Sequence, residues 1–153
     1  MYPFVVRVYG VYIDPEKGIL VTDEYIKGNY ITKFPGGGLE FGEGTRTCLQ
    51  REMTEETGNE FEIGEHFYTT DFFVLSAFDD SAQVISVYYL MKPAHHLDLK
   101  ITEKQFDFND HVEGAQIFRF IPLEEIGMDS FTLIIDQKVG GMLRKRFLLN
   151  ENS

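Results

Sequence analysis

The chain has 153 residues, 43% of them apolar and 25% charged, the balance of one soluble globular domain able to bury roughly two thirds of its unfolded surface. A formal charge of -11, from 25 acidic against 14 basic residues, repels polyanions at long range and argues against extended nucleic acid as a partner. The longest apolar run, Phe72 to Phe78, is broken by Ser76 and falls short of the ~18 residues of a membrane span, while no secretory signal is legible and the single cysteine, Cys48, leaves no internal disulfide to form, so a cytoplasmic setting is expected.

No repeat, low-complexity tract or Gly/Pro/Ser-rich linker divides the sequence, so one domain over residues 1–153 is expected. Phe4 to Ile13 is mainly β-branched or aromatic, Asp14-Pro15-Glu16-Lys17-Gly18 carries turn chemistry, and Ile19 to Thr22 reads as the returning strand of a hairpin. A short strand at Tyr30 to Phe34 runs into Pro35-Gly36-Gly37-Gly38, a loop whose glycines permit backbone angles closed to other residues. Thr45 to Thr57 contains good helix formers and no proline, with Gly58 placed for a left-handed C-cap. Phe67 to Phe78 and Gln83 to Met91 predict neighbouring antiparallel strands around an Asp79-Asp80-Ser81-Ala82 turn. Lys92 to Ala115 is a long polar loop, and Gln116 to Ile121 a last strand. Pro122 to Ile126 fits a short helix with proline in its first turn, and Phe131 to Leu149 a second helix weakened by Gly140-Gly141. Together these elements predict a mixed sheet covered by helices on both faces.

The chemistry concentrates between Gly37 and Gly58. Glu52, Glu55 and Glu56 are three and four residues apart, so their carboxylates project from one helical face within about one turn. Like charges at that spacing oppose each other by a few tenths of a kcal/mol per pair, and something must offset them. Arg51 can pair with Glu55 one turn on, but one guanidinium cannot neutralise Glu43, Glu52, Glu55 and Glu56 together. An all-oxygen cluster suits a hard divalent cation, Mg²⁺ or Mn²⁺, completed by water and substrate phosphate. An acidic helix face is ordinarily only solvated. Here the glycine loop, with Gly37 and Gly38 just before the helix, offers backbone groups to metal and phosphate and shifts the balance toward a site. Cys48, Leu49 and Met53 give the opposite side of the helix an apolar stripe.

Gly37, Glu43, Arg51, Glu52, Met53, Glu55, Glu56 and Gly58 stand in the register G-x5-E-x7-R-E-U-x-E-E-x-G-U, where U is a bulky apolar residue, and the segment resembles the Nudix hydrolase signature. Asn59, at the final apolar position, is the single departure. The resemblance implies an α+β fold, an α-β-α sandwich with a mixed central sheet and a loop-helix-loop catalytic motif. It also implies Mg²⁺- or Mn²⁺-dependent cleavage of the phosphoanhydride bond in a nucleoside diphosphate linked to another moiety. Carried over residue by residue, Glu52, Glu55 and Glu56 bind metal with the Gly36 carbonyl as a further ligand, Arg51 orients the cluster, and Glu43 supports it. Glu52 is favoured as general base. Some members draw a further ligand or base from the loop before the last strand, where Glu113 is the first candidate and Asp110 the second.

Other residues weigh less. His95, His96 and His111 read as exposed, Cys48 as a core thiol, and Arg144-Lys145-Arg146 as cations complementing a helix C-terminus. Tyr30, Phe34, Phe72 and Tyr88 are candidates for stacking on a base, although most of the aromatics must fill the core. The substrate expected is a small nucleotide, a nucleoside triphosphate or a nucleotide sugar such as ADP-ribose. Removal of pyrophosphate from an RNA 5′ end is disfavoured by the acidity. A non-catalytic nucleotide sensor is disfavoured because the motif keeps its carboxylates. The resemblance leaves a homodimer open.

Overall fold

A computed structural model describes residues 2–151. In chain order the elements are β1 (Phe4–Val11), β2 (Ile13–Asp14), β3 (Gly18–Ile26), β4 (Asn29–Lys33), β5 (Gly36–Gly38), α1 (Thr45–Thr57), β6 (Phe61–Thr69), β7 (Gln83–Pro93), β8 (Gln116–Ile121), a 3₁₀ turn at Met128–Ser130, and α2 (Ile134–Glu151). They fall into two compact units interleaved along the chain. The first takes the chain up to Tyr12 and Pro35–Leu99; the second takes Ile13–Phe34 and the chain from Lys100 onward. Among the described residues no helix is long and apolar enough to cross a membrane.

The first unit is built on a mixed four-stranded sheet in the order β5-β1-β7-β6. β1 runs parallel to β7 over eight residue pairs, from Phe4↔Gln83 to Val11↔Leu90, and antiparallel to β5 through Arg7↔Gly38, Val8↔Gly37 and Tyr9↔Gly36. β6 closes the other edge antiparallel to β7, with register shifts on both sides of His66. Val8, Tyr9, Val11, Leu49, Met53, Phe61, Tyr88 and Met91 are buried there. α1 is the predicted helix residue for residue. It buries Cys48, Leu49 and Met53 as their spacing requires, and ends at Gly58, whose φ of 70° is the left-handed C-cap.

In the second unit β3 is central, antiparallel to β4 from Thr22↔Lys33 to Ile26↔Asn29 and to β8 from Ile19↔Ile121 to Glu24↔Gln116. Lys27 (φ 48°) and Gly28 (φ 80°) make the β3–β4 turn, both left-handed as a two-residue hairpin of this kind demands. The Asp23 carboxylate is fully buried and satisfied: it accepts from Arg119 Nε at 2.9 Å and Nη2 at 3.0 Å, from Thr32 Oγ1 at 2.7 Å and from the Phe106 amide at 3.2 Å.

The sheets differ from the sequence reading in definite ways. The expected hairpin shrinks to Ile13↔Ile19 and Asp14↔Gly18, because the chain leaves the first unit at Tyr12 and β1 finds its partners in β5 and β7. The turn itself stands, with Asp14 Oδ1 accepting from the amides of Glu16 and Lys17, both at 2.9 Å. The glycine segment is a strand, not a loop. β6 begins at Phe61 and ends at Thr69, so the expected strand at 67–78 is displaced; its Glu-rich outer positions are those of a charged edge strand. Beyond Thr69 the 70–82 segment holds to β7 through the isolated bridge Leu75↔Gln83 and through separate hydrogen bonds, Thr70 N donating to Ser86 O at 3.0 Å and Val84 N to Val74 O at 2.9 Å. Pro122 to Glu125 is a turn closed by Glu125 N donating to Pro122 O at 2.9 Å, not a helix. α2 starts at Ile134 and continues through Gly140-Gly141: a Cβ on Gly140 would stand 2.5 Å from Gly127 O and 2.8 Å from the Phe131 ring, so the glycine serves close approach. Since α2 extends to Glu151, Arg144, Lys145 and Arg146 lie inside it and do not cap its end; Arg144 Nη1 donates to Glu124 O.

Candidate active site

Arg51, on α1, is the hub of the predicted cluster. Its Nε and Nη2 donate to the two oxygens of Glu43 at 3.0 and 2.7 Å, a bidentate pair. Nη1 donates to Glu52 Oε1 at 3.0 Å and Glu55 Oε2 at 3.2 Å, and Nη2 reaches the Gly38 carbonyl at 3.1 Å. One guanidinium thus gathers three of the four carboxylates around it, two more than the pairing with Glu55 that the spacing predicts. The Arg51 hydrogen bonds, seconded by the Glu40 amide, hold the Glu43 carboxyl down at about 2, and the same carboxylates keep Arg51 ionised at any working pH. Glu43 also fixes the segment before the helix, accepting from Glu40 N at 2.9 Å.

Glu52 is half-buried and its carboxylate lies over Gly37: a Cβ there would stand 2.5 Å from Glu52 Cδ and Oε1 and 2.7 Å from Oε2. The glycine is the cradle for that carboxylate. Because Leu39 N bonds Val6 O and Gly10 N bonds Pro35 O, strand alternation turns the peptide groups of Gly37 toward β1 and those of Gly36 and Gly38 to the free edge. Arg51 takes the Gly38 carbonyl on that edge, and the Gly36 carbonyl shares the outward direction. The intended phosphate loop at Gly37 and Gly38 is therefore an edge strand, with one of its carbonyls already engaged.

No group of three His, Cys, Asp or Glu side chains among the described residues stands ready to chelate an ion. The cause is visible in the Arg51 bonds, which draw the carboxylates to the guanidinium. Those bonds use one oxygen each of Glu52 and Glu55, leaving Glu52 Oε2 and Glu55 Oε1 outside them. The remaining donors are hard oxygens beside a cradle that only glycine leaves room for, a donor set suited to a hard divalent cation. Glu56 is half-buried on the same helical face. Glu113 belongs to the second unit, where its Oε2 accepts from Lys27 N at 2.7 Å.

Asn59, the departure from the signature, has a structural use. Its Nδ2 donates to Thr57 O at 2.8 Å and Asp98 O at 2.9 Å, and its Oδ1 accepts from Asp98 N at 3.1 Å, tying the helix end to the strand-free segment after β7. Cys48 is buried, and burial, with Glu43 beside it, pushes its thiol up to about 12, the inert core cysteine expected. Phe34 and Tyr88 are fully buried core aromatics, whereas Tyr30 is exposed and bonds Nδ1 of His111, itself exposed as expected, at 2.9 Å. Sequence reasoning missed Arg7, whose Nη1 lies 3.7 Å from where a Gly38 Cβ would stand. A lone arginine in a strand carries no motif, and only the β1–β5 register reveals its place.

Residues 3–138 match the family of the NUDIX domain. Comparison with curated proteins finds no match. Among solved structures, the fold is shared with a MutT protein from Methanosarcina mazei Go1 at a TM-score of 0.61 and 15% identity, over 99% of this chain and 97% of that one. A NUDIX hydrolase from Nitrosomonas europaea gives a TM-score of 0.60 at 17% identity over 96% and 73% of the two chains. An ADP-ribose pyrophosphatase from Streptococcus suis 89-1591 gives 0.51 at 14% identity over 90% of each. At these identities the likeness is one of fold.

Proposed function

The chain belongs to the Nudix family, among the pyrophosphohydrolases, and we propose that it is a Mg²⁺- or Mn²⁺-dependent enzyme cleaving the phosphoanhydride bond of a small nucleotide, a nucleoside triphosphate or a nucleotide sugar such as ADP-ribose. The observation that carries this reading is Glu52 seated over Gly37 beside an Arg51 that holds Glu43, Glu52 and Glu55. The family match takes in segments of both units, which supports reading residues 1–153 as one catalytic domain.

Glu52, Glu55, Glu56 and the Gly36 carbonyl are the groups to hold the metal. When bound, a divalent ion offsets the charge of the phosphate oxygens and makes a water nucleophilic near neutral pH. Arg51 keeps the carboxylates aligned through one oxygen each, and the bidentate Glu43 fixes Arg51 in turn. Glu52 accepts the proton of the attacking water as the new P–O bond forms and the bridging P–O bond breaks, with the departing phosphate carrying away the electron pair. Glu113 is second in line for that proton, since its carboxylate is occupied by the Lys27 amide. A homodimer in the cytoplasm is the setting proposed, the former read by sedimentation.

The test is a panel of nucleoside triphosphates, nucleotide sugars, dinucleoside polyphosphates and 5′-triphosphate RNA, assayed with Mg²⁺, with Mn²⁺ and with chelator. Release of phosphate or pyrophosphate from one class only when metal is present is expected. Glu55→Gln should lower that turnover by more than the ~10–100-fold typical of losing an outer-shell partner. Turnover unchanged by chelator, or by Glu55→Gln, overturns the reading.

A further inference from the structure

Glu40-Phe41-Gly42-Glu43 forms a tight turn. Glu43 N donates to Glu40 O at 3.3 Å, and Gly42 has a φ of 97°, the left-handed backbone that the third residue of a type II turn requires. The base of the turn is tied to the carboxylate cluster twice over. Glu43 accepts from Arg51 through both oxygens and also takes the Glu40 amide, at 2.9 Å. Glu40 Oε1 stands 3.7 Å from Arg51 Nη1, the same nitrogen that bonds Glu52 and Glu55. All of these residues belong to the first unit, so the turn and the carboxylates share one guanidinium within one compact body.

The tip of this turn is Phe41, 108% exposed, as open as a phenyl ring can be. The second position of a type II turn asks only for ordinary backbone angles, with proline common there, and the ring buries nothing, so neither turn nor core accounts for it. Single apolar side chains on a surface are ordinary. This one is set apart by its mount, since the residues on both sides of the tip engage Arg51. Because the ring is open on every side, a ligand held at the carboxylates can meet its face.

We infer that Phe41 is a specificity-determining residue whose ring stacks on the nucleobase of the substrate while the phosphates lie at the carboxylate cluster. Stacking is a contribution that the chain's charge of -11 does not oppose. Every base has a π-face, so Phe41 favours nucleotides over bare polyphosphates and leaves the choice among bases to other residues.

This rests on the function proposed above, and the experiment separates the two. Steady-state kinetics on the best substrate of the panel are compared for wild type, Phe41→Ala, Phe41→Leu and Phe41→Trp. Phe41→Ala should raise KM by roughly tenfold or more, as expected for losing one base–aromatic stack, with kcat within a few-fold. Phe41→Trp should keep the wild-type KM, and Phe41→Leu should recover little, since leucine has no flat face. The chain has no tryptophan, so the indole of Phe41→Trp is its only one and gives a readout independent of turnover. In Mg²⁺ its fluorescence should be saturably quenched by adenosine monophosphate and left unchanged by inorganic pyrophosphate. A KM of Phe41→Ala within twofold of wild type, or an indole that adenosine monophosphate does not quench, overturns the inference while leaving the hydrolase reading intact. So does a loss of self-association by Phe41→Ala in sedimentation, which would assign the ring to a second copy of the chain. Absence of any metal-dependent turnover in wild type overturns the hydrolase reading, and the fluorescence titration then still decides the role of Phe41.

Discussion

Gly37→Ala isolates the placement of one carboxylate from the stability of the fold. The new methyl would stand 2.5 Å from Glu52 Cδ and Oε1, against an ordinary contact of 3.4 Å or more, so the carboxylate must retreat by about 1 Å. Glu52 can do so, because those atoms are the far end of a flexible side chain, and Gly37 is outside the left-handed region, so alanine meets no backbone strain. The unfolded chain loses some freedom with alanine, which favours the folded state by ~0.4–1 kcal/mol. Melting temperature should therefore hold or rise slightly. A misplacement of about 1 Å can cost ~100-fold in rate, about 2.7 kcal/mol of transition-state stabilisation. The assay is kcat on the best substrate of the panel at saturating Mg²⁺, a Mg²⁺ titration and a thermal melt on the same sample. Gly36→Ala is the contrast: its Cβ would meet Val8 O at 2.1 Å at a φ of 143°, so there the fold itself should suffer. A Gly37→Ala enzyme with the kcat and Mg²⁺ midpoint of wild type would refute the claim that Glu52 works from its seat over Gly37.

Three further outcomes follow from distances and burial. Glu43, held at about 2 against an ordinary 4.5, has a depressed folded-state pKa; the stability it contributes is complete above the unfolded value and drains as pH falls from about 4.5 toward 2. The melting-temperature gap between wild type and Glu43→Gln should be full at pH 7 and shrink below pH 4.5, and a gap constant from pH 7 to 3 would contradict the Arg51–Glu43 account. Cys48, buried with its thiol near 12, should resist iodoacetamide in the native state and react on unfolding; stoichiometric labelling of folded protein counts against it. Gly140→Ala gains at most ~1 kcal/mol of helix propensity but forces a methyl against Gly127 O, an overpacking that typically costs ~1–3 kcal/mol, so a lower melting temperature is expected and an increase would be inconsistent.

The helix of the candidate site is legible because every signal there is local: Thr45 to Thr57 contains good helix formers and no proline, with a glycine just past its end and an apolar stripe at helical spacing. The Gln116–Ile121 strand, bounded by polar chain and Pro122, was legible for the same reason. What escaped depends on partners distant in sequence. Gly36 to Gly38 has no strand propensity and becomes β5 only because β1 offers it a ladder. Phe61 to Thr69 hides as a strand behind its glutamates, since an edge strand needs no apolar outer face. The turn at Pro122 and the start of α2 are not legible, because proline and Phe131 are equally at home in a helix and in the turn preceding one. Within the site, the spacing placed Glu52, Glu55 and Glu56 on one face, but the grip of Arg51 on Glu43, Glu52 and Gly38 O is a matter of rotamers that spacing cannot supply.

The interleaving of the two units bears on how the molecule is made. β1 leaves the ribosome well before β7, so its eight-residue parallel ladder waits for Leu90, and β3 waits for Ile121 before β8 can join it. At ~5–20 residues per second of synthesis, the apolar Phe4–Val11 segment spends several seconds without its main partner. The first unit has all of its chain once Leu99 has emerged, whereas the second still waits for the chain from Lys100 onward. The nascent chain is thus most open to misassociation early, and slower folding or chaperone holding during translation should influence its yield more than any change made to the finished site.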